Sequence, residues 1–494
     1  MPSEPKTAQP VTATMEDLHE RATIDRSTKL PVLFFLTSGA VWLILSSILG
    51  LLASLKLHQP TILDGWAWLT WGRLQPAFIN AFIYGWCFQA AFGMAIWVMA
   101  RLCRRPLKNP VTLVAAGHFW NLGVTLGVLS IFSGNQGPGE WLEFGHTSWL
   151  LLLASYTLIV VWLVLMYVSR PAGADYVSQW YILGACFWFP WLYLTANLFI
   201  FAGRSGLHAA ATAAWYSSSL IFLFFVPIGL AASYYLIPKI VGRPLHSYPL
   251  AVAGFWSLAL FGGWTGLQKL TGGPLPTWMP AVSGAAQWFL LIPVICVMAN
   301  HYFTVRGHHG LVQISPTLRF TFAAAVFYVG THLVAAILVF APELTQFTVA
   351  QDGFQFMALF NYFSMAMFGA IYFVVPRLTG CEWLSPKLIR FHFWFSVYGG
   401  VSISLLMLFG GLAQGQSLAT WDRTIIGAVE NARGYLIGRT IGWCFILLSN
   451  FSFAFHLTLM VFRLGRRSER ATLLHSPADY DHAEVMITTE GAEA

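Results

Sequence analysis

Residues 209–237 read AAATAAWYSSSLIFLFFVPIGLAASYYLI, without one charged side chain, and Lys239 and Arg243 follow. A helix crosses a bilayer with about 20 apolar residues at about 1.5 Å rise each, so this stretch is long enough to span. Backbone inside lipid must satisfy its own hydrogen bonds, which makes it a helix and not a strand. Comparable runs lie at 31–55, 76–102, 112–134, 148–169, 178–202, 249–270, 276–301, 318–342, 353–378, 390–413 and 436–465. The chain therefore reads as an all-α, polytopic membrane bundle of about twelve transmembrane helices. Its organisation reads as an N-terminal tail over 1–30, a membrane domain over 31–465 and a C-terminal tail over 466–494.

Composition agrees. Of 494 residues, 57% are hydrophobic and 10% charged, whereas soluble domains carry about 25% charged residues. The formal net charge of +7 is concentrated in loops, so it reports orientation and not a nucleic-acid partner. Cys87, Cys103, Cys186, Cys296, Cys381 and Cys444 stand far apart, with no C-x-x-C or C-x-x-C-H. Neither a zinc knuckle nor covalent c-type haem is encoded. The polar first 30 residues lack the apolar core of a signal peptide and read as a cytoplasmic tail.

Basic residues mark one side of the membrane. Arg101, Arg104, Arg105 and Lys108 follow the second span; Lys239 and Arg243 follow the sixth; Arg306 and Arg319 flank the loop after the eighth. Arg377, Lys387 and Arg390 follow the tenth, and Arg463, Arg466, Arg467 and Arg470 the twelfth. All are even-numbered exits, so the positive-inside bias predicts both termini in the cytoplasm. The opposite loops carry Glu140, Glu143, Glu343 and Asp352.

Several strings in and beside these spans resemble those of one known family. Gly-Arg-Leu-Gln-Pro-Ala-Phe-Ile-Asn-Ala (72–81) opens the second span where the family has Arg-Pro-Leu-His-Thr-Asn-Ala. Trp215-Tyr216 begins a span ending Tyr-Tyr-Leu-Ile-Pro-Lys (234–239), followed by Arg-Pro-Leu-His-Ser-Tyr (243–248). Phe-Gly-Ala-Ile-Tyr-Phe-Val-Val-Pro-Arg-Leu (368–378) resembles the end of the family's tenth helix. These strings resemble the catalytic subunit I of haem–copper oxidases, in its C-family (cbb-type) branch, and the resemblance implies a twelve-helix scaffold, haem b and copper, c-type cytochrome partners, oxygen reduction and a bacterial cytoplasmic membrane.

Carried across residue by residue, the family's ligand positions hold other residues. Its low-spin haem histidine falls on Phe78, and the His-x-His of its tenth helix on Phe354 and Phe356. Its copper histidines fall on Ser218, Gln268 and Lys269, and its cross-linked tyrosine on Gly262. A further histidine and aspartate fall on Gln346 and Val349. Haem iron needs an axial donor such as His, Cys, Met or Tyr, and copper of this kind wants imidazoles. Three of the replacements are bulky aromatics, as filling a vacated haem pocket requires, because packed interiors tolerate few voids.

Other histidines in or near the spans are His118, His146, His208, His332, His392 and His456, of which only His332 is expected near mid-membrane. His118 paired with His392 or His456 is conceivable as a haem pair, but no motif supports it, and a histidine hydrogen-bonded to a neighbour is the plainer reading. His308-His309 reads as a solvated loop pair. The expected spans hold essentially no Asp or Glu, which argues against ion-coupled transport. Lys269 is the deep cation candidate, and Asn197, Gln287, Gln355 and Asn361 read as interhelical hydrogen-bonding groups.

The sequence thus predicts a cbb-type subunit I-like membrane subunit of a respiratory complex that has lost its redox centres. An active terminal oxidase with unconventional ligands is one alternative. A bundle that binds or transports a quinone or lipid in the vacated pockets is the other. Expected partners are the lipid bilayer and c-type cytochrome or other respiratory subunits.

Overall fold

The computed structural model describes residues 15–202, 206–420, 424–467 and 471–474. Twelve helices in it are long and apolar enough to cross a membrane. In chain order they are Met15–His58, Trp71–Leu102, Pro110–Ser133, His146–Val168, Val177–Phe201, Leu207–Val241, Tyr248–Leu270, Trp278–Val305, Pro316–Leu338, Ala350–Thr379, Pro386–Ala419 and Ile425–Val461. Among the described residues the sole β feature is an isolated bridge between Glu382 and Arg466.

The second, sixth and tenth spans run through the middle. Their most apolar windows are 100% buried, against 33–50% for the other nine. Small residues let these backbones pack close, since between helices in lipid it is van der Waals contact that holds them. Gly229 of the sixth span shows the closeness: a Cβ there would lie 2.5 Å from Tyr362 Oη of the tenth. Each central span also contains a π-helical segment, at Ala81–Cys87, Ile221–Phe225 and Met357–Ser364. Such wide turns recur at functional sites.

Polar side chains tie the spans to one another, within the centre and around it. Asn361 Nδ2 donates to Gly400 O at 3.1 Å and Ser404 Oγ at 2.9 Å in the eleventh span. Trp86 Nε1 donates to Ser364 Oγ at 2.9 Å, and the hydroxyls of Tyr84 and Tyr216 meet at 2.7 Å. Asn450 Nδ2 donates to Ser47 Oγ at 2.8 Å, joining the last span to the first.

Several helices outrun the apolar runs that announce them. The first begins at Met15, inside the stretch expected as a tail over 1–30, and residues 1–14 lie outside the described residues. The reason is a polar helical extension held by ion pairs: Arg104 with Asp17 at 2.9 Å and Glu20 at 2.5 Å, and Arg101 with Asp25 at 3.4 Å. The longer helices bring in acids, so the expectation of spans without Asp or Glu needs correcting. Asp25 lies in the first helix, Asp352 in the first turn of the tenth span and Glu430 in the twelfth helix. Of the segment expected as a tail over 466–494, residues 471–474 pack against the bundle, with Leu474 N donating to Ile314 O at 2.9 Å. Residues 468–470 and 475–494 lie outside the described residues.

Candidate functional site

Phe78 of the second span and Phe356 of the tenth lie on either side of Trp443 from the twelfth. Trp443 meets Phe78 edge-on at 5.0 Å between ring centroids and Phe356 at 5.3 Å. Phe356 stacks on Phe360 at 5.2 Å, and Phe360 on Phe82 at 6.3 Å. These five rings form a continuous aromatic stack through the middle of the bundle. The space left among Phe78, Phe82, Phe356, Gln355, Asp352 and Arg439 is about 20 Å³. That admits about one water, whereas a pocket for a small organic ligand is about 300–1,000 Å³. A haem does not fit there, and a phenyl ring offers iron no lone pair.

The residues expected at the copper positions are held in hydrogen bonds of their own. Ser218 Oγ donates to Thr265 Oγ1 at 3.0 Å, which donates to Gly262 O at 3.1 Å. Lys269 Nζ donates to Ser217 Oγ at 3.3 Å. Gln268 Oε1 accepts from Gly266 N at 2.6 Å and Ser283 Oγ at 2.5 Å. Gln346 Nε2 donates to Lys269 O at 2.7 Å, and Val349 N to Gln414 Oε1 at 3.0 Å. Phe354 closes this neighbourhood: it lines a hollow of about 20 Å³ with Gln268, Lys269 and Gln346. A Cβ at Gly262 would come within 2.7 Å of Leu223 Cδ2, so a tyrosine has no room there without displacing Leu223. The set is donors and acceptors that satisfy one another. It contains no imidazole, and among the described residues no group of three or more His, Cys, Asp or Glu could hold a metal ion.

The histidines are held by their neighbours. His118 is exposed on the outside of the bundle with Nδ1 against Val114 O at 2.9 Å, so it pairs with neither His392 nor His456. His332 is fully buried, with Nδ1 against Tyr328 O at 2.9 Å and its ring 5.2 Å from Phe222. His392 Nδ1 lies 2.8 Å from Tyr372 Oη, and Ser385 N donates to His456 Nε2 at 3.3 Å. These are neighbour-bonded histidines. His301, buried at the end of the eighth span against Tyr234, is missed from sequence because it sits at the last position of the apolar run.

Nor does the sequence hint at a polar cluster above the aromatic stack. The 134–145 connection folds inward and buries Glu143, whose Oε2 accepts from Asn80 Nδ2 at 2.7 Å. Burial pushes the Glu143 carboxyl up to about 8. Glu140 Oε1 accepts from Gln355 Nε2 at 2.5 Å. Arg439 is 3% exposed, and its Nε and Nη1 make no hydrogen bond among the described residues. By charge alone, these are ordinary loop and helix-end residues; only the tertiary fold buries them.

Comparison with known proteins agrees with the architecture. The family described as Cytochrome C and Quinol oxidase polypeptide I matches residues 30–445. The chain is similar to a Cbb3-type cytochrome c oxidase subunit CcoN1 of Stutzerimonas stutzeri, 26% identical over 91% of this chain and 96% of that protein. It is similar to a bacteroid cytochrome c oxidase subunit 1 homolog of Bradyrhizobium diazoefficiens, 25% identical over 91% of this chain and 85% of the relative. A cytochrome c oxidase subunit 1 of Rhodobacter capsulatus is 26% identical over 70% of this chain and 68% of its own length. Twelve spans, three of them central, and a match over most of the chain make this protein a member of the haem–copper oxidase subunit I family.

Proposed function

We propose that this chain is a non-catalytic member of its family, a subunit of a bacterial respiratory membrane complex that keeps the twelve-helix scaffold without haem or copper. The observation that carries this reading is the contact of Phe78, Phe356 and Trp443, which fills the interior where the resemblance implies a low-spin haem. The hydrogen-bonded Ser218, Gln268 and Lys269 support it at the copper positions. The chain's role is then to anchor or shape partners such as c-type cytochrome subunits or a companion oxidase. Both termini face the cytoplasm in this reading, as the basic even-numbered exits require. A quinone or lipid inside the vacated pockets is disfavoured by hollows of only about 20 Å³.

The test is an absorbance spectrum of the purified, dithionite-reduced protein with a pyridine haemochrome assay on the same sample. A folded, monodisperse preparation without a Soret band is the expected result. Stoichiometric haem overturns the proposal and makes the chain an oxidase with unconventional ligands.

A further inference from the structure

The outer surface of the bundle holds a large apolar hollow. Between the first and twelfth spans runs a groove of about 470 Å³, lined by Thr37, Ala40, Val41, Leu45, Leu457 and Thr458 among others. Its two threonines add no polarity, because Thr37 Oγ1 donates to Leu33 O at 2.7 Å and Thr458 Oγ1 to Ala454 O at 2.8 Å. Their hydroxyl protons are occupied within their own helices.

Size narrows the occupant. The groove follows residues 37–45 of the first helix, about 12 Å at about 1.5 Å per residue, a length along which an acyl chain can lie. Flexible acyl chains fit.

Charge narrows it further. At the basic end of the groove stand Lys29, about two turns before Thr37 on the first helix, and Arg463, next to the groove-lining Phe462. The two cations are close enough to repel each other. Among the described residues neither forms a salt bridge. An apolar channel ending at two like charges complements a molecule with apolar tails and an anionic head at the membrane surface. We propose that this groove is a binding site for an anionic phospholipid, with acyl chains between the first and twelfth spans and the phosphate against Lys29 and Arg463. A zwitterionic lipid fills the same groove, but its ammonium group offsets the charge its phosphate brings to the two cations, so the site distinguishes lipids by net head charge.

The experiment uses the full chain, delipidated in a neutral detergent, and titrates it with phosphatidylglycerol or phosphatidylcholine of identical acyl chains. Bound lipid is counted by native mass spectrometry and melting is followed in parallel. Phosphatidylglycerol should bind at least about tenfold tighter, with the preference falling about fivefold for each of Lys29→Gln and Arg463→Gln and shrinking as salt is raised. Val41→Trp, at an exposed position on the groove wall, should weaken both lipids alike. Equal binding of the two lipids, or an unchanged preference in the double charge variant, overturns the proposal. So does stabilisation by glycerol phosphate equal to that by phosphatidylglycerol, because the head would then suffice without the groove.

Discussion

Replacing Trp443 by alanine should destabilise the bundle by about 3–4 kcal/mol, by the following reckoning. The indole is 2% exposed and wedged between Phe78, Phe356 and Gly50, where a Cβ would come within 2.6 Å of Trp443 Cη2. In a soluble protein the loss would include transfer of the ring from water. Here lipid tails are as apolar as the interior, so that part largely cancels. What remains is the hole and the lost ring contacts. A cavity on the order of 100 Å³ at about 24 cal/mol per Å³ costs about 2.4 kcal/mol, and two edge-on aromatic pairs add about 0.5 kcal/mol or more each. Unfolding in mixed micelles by increasing sodium dodecyl sulfate, followed by circular dichroism, gives the difference directly. Trp443→Phe keeps most of the contact and should lose about a third as much. A loss under about 1 kcal/mol for Trp443→Ala refutes the reasoning: the three rings would not be a packed interior, and the space would be open to a cofactor after all.

Glu143 makes stability depend on pH. Its folded carboxyl titrates at about 8 against an ordinary 4.5 because it is buried, so the folded chain holds the proton more tightly than the unfolded one. Stability is then fully present below pH 4.5 and falls by up to about 1.4 kcal/mol per unit until about 8. Glu143→Gln should remove that slope, and a gap between variant and parent melting temperatures that stays constant with pH would count against it. Gly262→Tyr must push Leu223 aside and should destabilise by about 1–3 kcal/mol; an undisturbed melting temperature would show that the position tolerates the family's tyrosine. Asn361→Leu gives up two hydrogen bonds to the eleventh span, yet such bonds in membranes average only about 0.6 kcal/mol each. Its loss, measured in the same denaturant titration, should therefore stay near 1 kcal/mol, well below that of Trp443→Ala.

The twelve spans were legible because an uncharged apolar run of bilayer length seldom occurs outside a membrane helix, and 209–237 alone shows the pattern. Which spans lie at the centre was not legible. Lipid and protein interior are equally apolar, so hydropathy cannot tell the buried Phe88 from the exposed Phe187. The residues expected at the family's ligand positions could be named from the resemblance, but not what fills the space between them. Trp443 stands far along the chain from Phe78, and nothing local marks it as their neighbour. Glu143 and Arg439 were invisible for a related reason. The charge of Glu143 reads as solvated until the fold turns its loop inward, and that of Arg439 reads as a solvated helix end until its helix proves longer than its apolar run.

The π-helical turns of the three central spans bear on how such a chain can change over time. A π turn holds one residue more than an α turn, so everything beyond it is rotated by about 100° relative to an unbroken helix. In the second span Ala81–Cys87 separates Phe78, which faces Trp443, from Phe88, which stacks on Phe224 at 4.4 Å. Deleting a single residue there would restore a regular helix and at the same stroke swing Phe88 and all that follows off its partners. Substitutions along these three helices are absorbed one contact at a time, whereas a change of length is felt by a whole half-helix at once. The interior of this scaffold is therefore free to exchange its chemistry and bound to keep its count of residues.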